Sequence, residues 1–217
     1  MGAEGKFLLA LRRMDLAPSE LEAILHDPEA RRFHAVRLAL ASHRLTPRAD
    51  ALSLVETLFS YDLAHLSADV RANPELRRAA DRLLLRRASD MALAERMHLA
   101  RTAGRGMLPA LRHDPDPRVV AALLDNRFAT ESDVLGAVGA RAHPETIAAV
   151  AGHPRWSVRR SVREALLGHP RLPEEVLERL LSRATDEDLS LWSVSPGASP
   201  AVRAATQRIL ARRPKGV

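Results

Sequence analysis

Residues 154–170 read PRWSVRRSVREALLGHP, and this stretch is the fullest copy of a unit that recurs along the chain. It opens on a proline and an aromatic–arginine segment, after which apolar residues repeat at helical spacing. Proline is tolerated in the first turn of a helix, where its missing N–H would have no partner, and it ends the preceding helix. Each copy therefore predicts the end of one helix, a sharp corner and the start of the next helix.

The period of these units indicates an α-helical repeat architecture. The prolines that open the copies are Pro28, Pro74, Pro115, Pro154 and Pro196. Their successive spacings are 46, 41, 39 and 42 residues, which is the range of solenoid repeats built from two or three helices. We predict an all-α fold, a right-handed α-solenoid of about five repeats with two to three helices each.

Two sets of residues at equivalent positions of the repeats indicate that neighbouring repeats stack on one another. Apolar residues follow the corner at helical spacing, as in the set Val158, Val162, Ala165 and Leu166. A second set contains only small residues, namely Ala79, Ala122, Ser161 and Ala205. Small side chains let helices of neighbouring repeats approach closely. Trp192 aligns with apolar residues of the other copies, so we expect it in the core.

We expect a single α-solenoid domain over residues 1–217, because no segment has the length and composition of a linker. Residues 1–17 form a predicted N-terminal cap helix, and the approximate repeats are 18–61, 62–104, 105–142, 143–184 and 185–213. Second helices are predicted to start at polar or proline caps, and third helices near first-turn acids or prolines. The predicted second-helix caps are Thr46 with Pro47, Ser89, Thr130 and Pro173, and the third-helix starts are near Ser19, Asp62, Gly106, Pro144 and Asp186.

Composition excludes several classes of protein. Aromatic residues make up 3% of the chain against 46% hydrophobic residues in total, which favours helices over sheets. The absence of cysteine excludes disulfides, thiolate metal sites, iron–sulfur clusters and a cysteine nucleophile. No apolar run reaches membrane-spanning length, and no signal-peptide cleavage pattern follows the N-terminus. We therefore expect a cytoplasmic protein without a membrane partner.

The chain has a formal net charge of +6, and Lys6 and Lys215 are its only lysines. Arginine presents a planar fork that binds phosphates and carboxylates in a bidentate manner. The segment 189–217 contains Arg203, Arg208, Arg212, Arg213 and Lys215 and no acidic residue. Two interpretations of this segment stay open: a basic cap that attracts nucleic acid or an acidic partner, and a solvated end helix.

The opening stretch contains the candidate binding site. On a helical wheel, Trp156, Arg159, Arg160 and Arg163 fall opposite the apolar set, and Trp156 with Arg160 could form a cation–π pair. One interpretation is an anion or nucleic-acid site, with arginine bound to phosphate and tryptophan as a stacking platform. The other, which the sequence favours, is that Trp156 packs the corner and Arg159 belongs to a structural column with Arg31, Arg77 and Arg203.

Nothing in the sequence predicts catalysis, a cofactor or a metal ion. The nine histidines lack ligand spacing. Several of them, including His26, His113, His153 and His169, precede a corner proline, where we expect them to interact with the last helix carbonyls. There is no nucleophile elbow, no phosphate-binding glycine loop and no HExxH motif. Acidic residues occupy helix N-termini, where they complement the helix dipole.

The segments HDPDPRVVAALL and HPRWSVRRSVREALL resemble HEAT and armadillo-like repeats, and HPRLPEEVLERLL looks like the bacterial leucine-rich variant repeat. The resemblance covers roughly residues 18–213 and implies a binding scaffold. The cysteine-ligated cluster of some leucine-rich variant proteins is not expected, since the chain has no cysteine.

The sequence thus favours a non-enzymatic scaffold that binds a protein partner. The alternative is a nucleic-acid-binding protein, such as a relative of the HEAT-like alkylpurine DNA glycosylases. The segment WSVRRSV resembles the Trp–Arg–Arg helix of those enzymes. That resemblance implies DNA contacts at Trp156, Arg159 and Arg160. The aspartate and the several aromatic residues of those enzymes have no confident match in this chain.

Overall fold

The computed structural model describes residues 2–212, so Arg213 and Lys215 of the basic C-terminal segment lie outside the described residues. Within the described range the chain is helical throughout and contains no strand. This confirms the predicted all-α fold class.

The helices are short, and most contain seven to ten residues. Their bounds are α1 Ala3–Leu11, α2 Pro18–His26, α3 His34–Ser42, α4 Arg48–Glu56, α5 Ser60–Ala68, α6 Pro74–Arg87, α7 Leu93–Thr102, α8 Leu108–Leu111, α9 Pro117–Leu124, α10 Glu131–Ala137, α11 Pro144–Gly152, α12 Arg160–Leu167, α13 Glu174–Ser182, α14 Asp186–Val194 and α15 Pro200–Arg212. Two 3₁₀ helices cover Ala30–Arg32 and Ala88–Asp90.

The chain divides into two compact units. The first comprises the residues up to Glu95 together with Thr102–Met107. In this unit α1 packs against α3, α3 against α4, α4 against α6 and α5 against α6. Its core contains Val36, Leu54, Leu63 and Leu84, which are almost completely buried.

The second unit comprises Arg96–Arg101 and the residues from Leu108 onward. Here alternate helices pack together: α8 contacts α10, α10 contacts α12, α9 contacts α11 and α11 contacts α13. At the C-terminal end α14 packs against α15. Val134, Ile147, Val162 and Leu166 are completely buried between these helices. The prediction of one continuous solenoid domain stays a prediction.

The corners are longer than the sequence pattern predicts. Pro154 does not open a helix, because residues 154–158 form turns and α12 begins only at Arg160. Backbone hydrogen bonds from Trp156 and Ser157 to the carbonyl of His153 hold this turn. The helical wheel therefore applies from Arg160 onward. Val162 and Leu166 are buried as expected, but Val158 is 64% exposed, so its assignment to the core is wrong.

Most of the predicted helix starts are correct to within two residues, and one cap is wrong. Thr130 caps α10, since its hydroxyl accepts the Asp133 N–H while the Asp133 carboxylate accepts the Thr130 N–H. Ser89, in contrast, lies in a 3₁₀ helix, and α7 begins at Leu93. The carboxylate of Glu95 accepts the Ala92 N–H there instead.

Candidate functional site

Trp156 is part of the core of the second unit. Its side chain is 2% exposed, and its indole Nε1 donates a hydrogen bond of 2.9 Å to the carbonyl oxygen of Leu124. The guanidinium of Arg155 lies 4.2 Å from the centre of the ring. These contacts fit the corner-packing interpretation of Trp156, because a buried ring offers no face on which a base could stack. Trp192 is also buried, which confirms its expected place in the core.

The three predicted arginines have different surroundings. Arg159 is the exposed N-cap residue of α12. Arg160 donates to the Glu164 carboxylate at 2.8 Å, one turn along the same helix, and this hydrogen bond raises the pKa of Arg160. Arg160 therefore does not form the expected cation–π pair with Trp156; Arg155 takes that place.

Arg163 points into a small pocket of about 180 Å³. Its Nη2 lies 3.6 Å from a carboxylate oxygen of Asp188, and its buried Nε has no hydrogen-bond partner among the described residues. Arg179 and Arg183 line the same pocket. The structure thus groups Arg163 with Arg179 of α13 and Arg183, the C-cap residue of α13, and not with Trp156.

A larger concavity of about 550 Å³ in the second unit is lined by arginines from three alternate corners. Arg112 comes from the corner between α8 and α9, Arg141 from the corner between α10 and α11, and Arg171 from the corner between α12 and α13. His113 and His143 also line it. We call this concavity the arginine groove.

Histidine side chains accept backbone hydrogen bonds in several corners of the second unit. His143 caps α11, with its Nδ1 accepting the Glu145 N–H at 3.3 Å. The Nδ1 of His169 accepts the Arg171 N–H at 3.0 Å, and its Nε2 contacts the carbonyl oxygen of Gly139 at 3.1 Å. His153 accepts the Arg155 N–H in the same way. The expected contact with the last carbonyls of the preceding helix is therefore wrong for His153 and His169: the imidazole accepts the N–H two residues ahead and fixes the turn.

The groove presents more positive than negative charge. Arg141 and Arg171 are exposed and have no ion-pair partner among the described residues. Arg112 lies against Gly136, 3.9 Å from the Asp133 carboxylate. The only carboxylate in the lining, Asp114, is held by Arg96 at 3.0 Å, and its side chain is 8% exposed. The groove can therefore accept an anionic ligand.

The carboxyl of Asp116, in the corner after Asp114, is also satisfied locally. The Arg118 guanidinium and the Arg118 N–H donate to it, which lowers the pKa of Asp116 to about 2. This carboxylate is thus ionised at neutral pH but already bound to a neighbouring cation.

The groove arginines were missed at the sequence level, although a signal for them exists. Arginine stands three residues before proline in RLTP, RANP, RHDP and RAHP, and two before proline in RLP. The arginines of these motifs are Arg44, Arg71, Arg112, Arg141 and Arg171. Arg44 and Arg71 line a separate concavity of about 330 Å³ in the first unit. The motif therefore marks an arginine placed at the surface of a corner.

No group of three potential metal-ligating side chains was found among residues 2–212. None of the helices in the same range combines the length and the apolar character needed to cross a bilayer. The sequence matches no family model, and comparison with curated proteins and with solved structures likewise gave no match.

Proposed function

We propose that this protein is a non-enzymatic α-helical repeat protein that binds an acidic segment of a protein partner in the arginine groove. The observation that carries the proposal is the convergence of Arg112, Arg141 and Arg171, from three separate corners, on one concavity. Arginine binds carboxylates with two parallel, charge-assisted hydrogen bonds. The volume of about 550 Å³ falls within the range of about 300–1,000 Å³ that is typical of ligand sites.

The architecture that we propose is the right-handed α-solenoid of about five HEAT- or armadillo-like repeats. The packing of alternate helices supports it, with α8, α10 and α12 in one series and α9, α11 and α13 in another. Stacked helical repeats contact only their neighbours and so bring equivalent helices side by side. Equivalent corner residues then recur along one edge, where an extended chain meets one arginine in each repeat.

A nucleic-acid partner is the alternative, and the groove supports it less well. Recognition of single strands relies on exposed aromatic rings, and no Phe, Tyr or Trp lines the arginine groove. The ring of Trp156, on which the resemblance to alkylpurine DNA glycosylases depends, is buried. Contact with the phosphate backbone of a duplex requires only cations, and Arg159 is an exposed cation. A DNA duplex is therefore one of the two probes in the test.

The test compares two fluorescently labelled probes, a glutamate-rich peptide and a DNA duplex of the same net charge. Anisotropy is measured with the wild type, with R141E/R171E and with the control R82E/R86E. The control reverses the same number of charges on exposed positions of α6. We expect the peptide to bind and R141E/R171E to weaken binding by at least about tenfold, since each lost charge-assisted contact contributes about 1.5–3 kcal/mol.

The control variant should bind the peptide within about twofold of the wild type, as expected for surface charges outside the site. Absence of peptide binding at about 50 mM salt, or equal weakening in both variants, would contradict the proposal. Preferential binding of the duplex with a steep loss between about 50 and 200 mM salt would favour the nucleic-acid alternative. Release of the base from a second duplex that carries an alkylated purine would identify a glycosylase.

A further inference from the structure

The small pocket beside α12 has the composition of an anion site and is separate from the arginine groove. Its volume is about 180 Å³, and it shares no lining residue with the groove. Three arginines and one serine line it together with apolar residues. The residues that matter here are Ser157, Val158, Arg163, Arg179, Arg183 and Trp192. We call this cavity the Arg163 pocket.

The side chain of Arg163 is only partly satisfied by the protein. Its Nε is buried without a hydrogen-bond partner among the described residues. Its Nη2 is 3.6 Å from Asp188, which is longer than a hydrogen bond. Asp188 is itself engaged as an N-terminal cap, since its carboxylate accepts the Thr185 N–H. Buried donors in native structures are nearly always paired, so this guanidinium requires an additional acceptor.

The other two arginines come from the last turn of α13 and from its C-cap position. Arg179 and Arg183 are four residues apart, both are exposed, and neither has an ion-pair partner among the described residues. Arg179 folds over the end of α11, because a methyl group built on Gly152 would be 3.5 Å from Nη1 of Arg179. No carboxylate lines the Arg163 pocket. Three like charges at one cavity repel one another unless an anion lies between them.

From these contacts we infer that the Arg163 pocket binds a phosphate monoester. The dianion presents three terminal oxygens to three arginines, and arginine is well suited to bidentate binding of phosphate. The cavity is smaller than the roughly 300 Å³ at which sites for drug-sized ligands begin. It therefore takes a single phosphoryl group on a short stem, with Val158 and Trp192 against the stem. This inference does not depend on the function proposed for the arginine groove.

The phosphoryl group can come from a small metabolite or from a phosphorylated side chain of a partner, and the experiment distinguishes these sources. Inorganic phosphate, O-phosphoserine and a short phosphoserine peptide are titrated in a phosphate-free buffer, with sodium chloride at the same ionic strength as the reference. Binding is followed by calorimetry and by intrinsic tryptophan fluorescence, to which Trp192 of the pocket and Trp156 contribute. Tighter binding of the phosphopeptide than of O-phosphoserine indicates a protein source, and equal binding indicates a small molecule.

We expect saturable binding of phosphate with a Kd at or below about 1 mM. R179Q/R183Q should weaken it by at least about tenfold, because charge-assisted hydrogen bonds to two arginines are lost. The exposed pair on α6 supplies the matched control R82Q/R86Q, which should bind as the wild type does. R163K should also weaken binding, since lysine keeps the charge but lacks the Nε–H.

D188N should strengthen phosphate binding, whereas the arginine variants should weaken it. It removes the carboxylate 3.6 Å from Arg163 and keeps an oxygen for the cap, so phosphate should bind more tightly. R141E/R171E should leave phosphate binding intact, and this separates the pocket from the groove. The inference is overturned if sodium chloride reproduces the response, if R179Q/R183Q binds as the wild type does, or if D188N weakens binding.

Discussion

The indole nitrogen of Trp156 donates a hydrogen bond of 2.9 Å to the carbonyl oxygen of Leu124, the last residue of α9. The last four carbonyls of a helix have no partner within the helix. Trp156 satisfies one of them across 32 positions of sequence, and so ties the corner before α12 to the end of α9. Of the two interpretations of Trp156, the corner-packing one that the sequence favours fits this hydrogen bond.

Replacing Trp156 should therefore reduce stability. W156F keeps most of the ring but leaves the Leu124 carbonyl unpaired, which should cost about 1–2 kcal/mol. W156A also creates a cavity and should cost about 3–5 kcal/mol. Urea unfolding followed by circular dichroism measures both. V158A, in the same turn at a 64% exposed side chain, is the control and should change stability by less than about 0.5 kcal/mol. Equal effects of W156A and V158A would contradict the structural role.

Asn126 offers a second test of the corners. It is completely buried, its Nδ2 donates to the Ala100 carbonyl at 2.9 Å, and its Oδ1 accepts the Phe128 N–H at 2.8 Å. N126A leaves both backbone groups unpaired and should destabilise the protein by about 2–6 kcal/mol, since each buried unsatisfied group costs about 1–3 kcal/mol. N73A removes only the exposed cap of α6 and should cost about 1 kcal/mol. A larger loss in N73A than in N126A would contradict this ranking.

Asp81 should make stability depend on pH. Burial raises the pKa of its carboxyl above the ordinary value of 3.8, while the hydrogen bond from Ser67 and the charge of Arg77 act in the opposite direction. The folded protein then holds the proton to a higher pH than the unfolded chain does. Stability contributed by this group is therefore lost as pH rises from 3.8 through the raised pKa. D81N should flatten the decrease in urea midpoint over that range.

Asp116 should make stability depend on pH in the opposite direction from Asp81. Its pKa is lowered to about 2 by Arg118, so its contribution is present above the ordinary value of 3.8 and is lost as pH falls towards 2. D116N should change the pH dependence only in that acidic range. If D81N and D116N altered the same part of the pH profile, the assignment of the two shifts would be wrong.

Two glycines should respond differently to alanine. A methyl group on Gly104 would lie 2.3 Å from the Ser67 carbonyl oxygen, and the Gly104 N–H donates to the Ser67 hydroxyl. Since backbone cannot move aside cheaply, G104A should cost at least about 1–3 kcal/mol, as expected for overpacking. A methyl group on Gly136 meets only the flexible Arg112 guanidinium, at 2.8 Å.

G136A should therefore keep or raise the thermal midpoint, because alanine is favoured over glycine within a helix by about 1 kcal/mol. It should also displace Arg112 and weaken binding of the acidic peptide to the arginine groove. Scanning calorimetry and the anisotropy titration measure the two effects separately. A strong loss of stability in G136A, or none in G104A, would show that these contacts are misplaced.

Sequence periodicity is sufficient to predict the all-α fold class and part of the hydrophobic core. Local signals determine these features: proline cannot continue a helix, Thr130 with Asp133 caps one, and apolar residues at helical spacing define a buried face. Val162 and Leu166 were therefore predicted correctly. Val158 was not, because the pattern does not reveal that the turn after Pro154 continues to Arg160.

The candidate site, like the core, could be predicted from the sequence only in part. The sequence by itself determined that arginines are numerous, that the chain has no cysteine and that Trp156 stands beside a cluster of cations. Only the tertiary structure decided which arginines meet. Arg112, Arg141 and Arg171 are about 30 residues apart along the chain, and Arg163 meets Arg179 and Arg183 through the packing of separate helices. Burial and proximity are set by contacts between distant segments, and a local pattern contains no information about them.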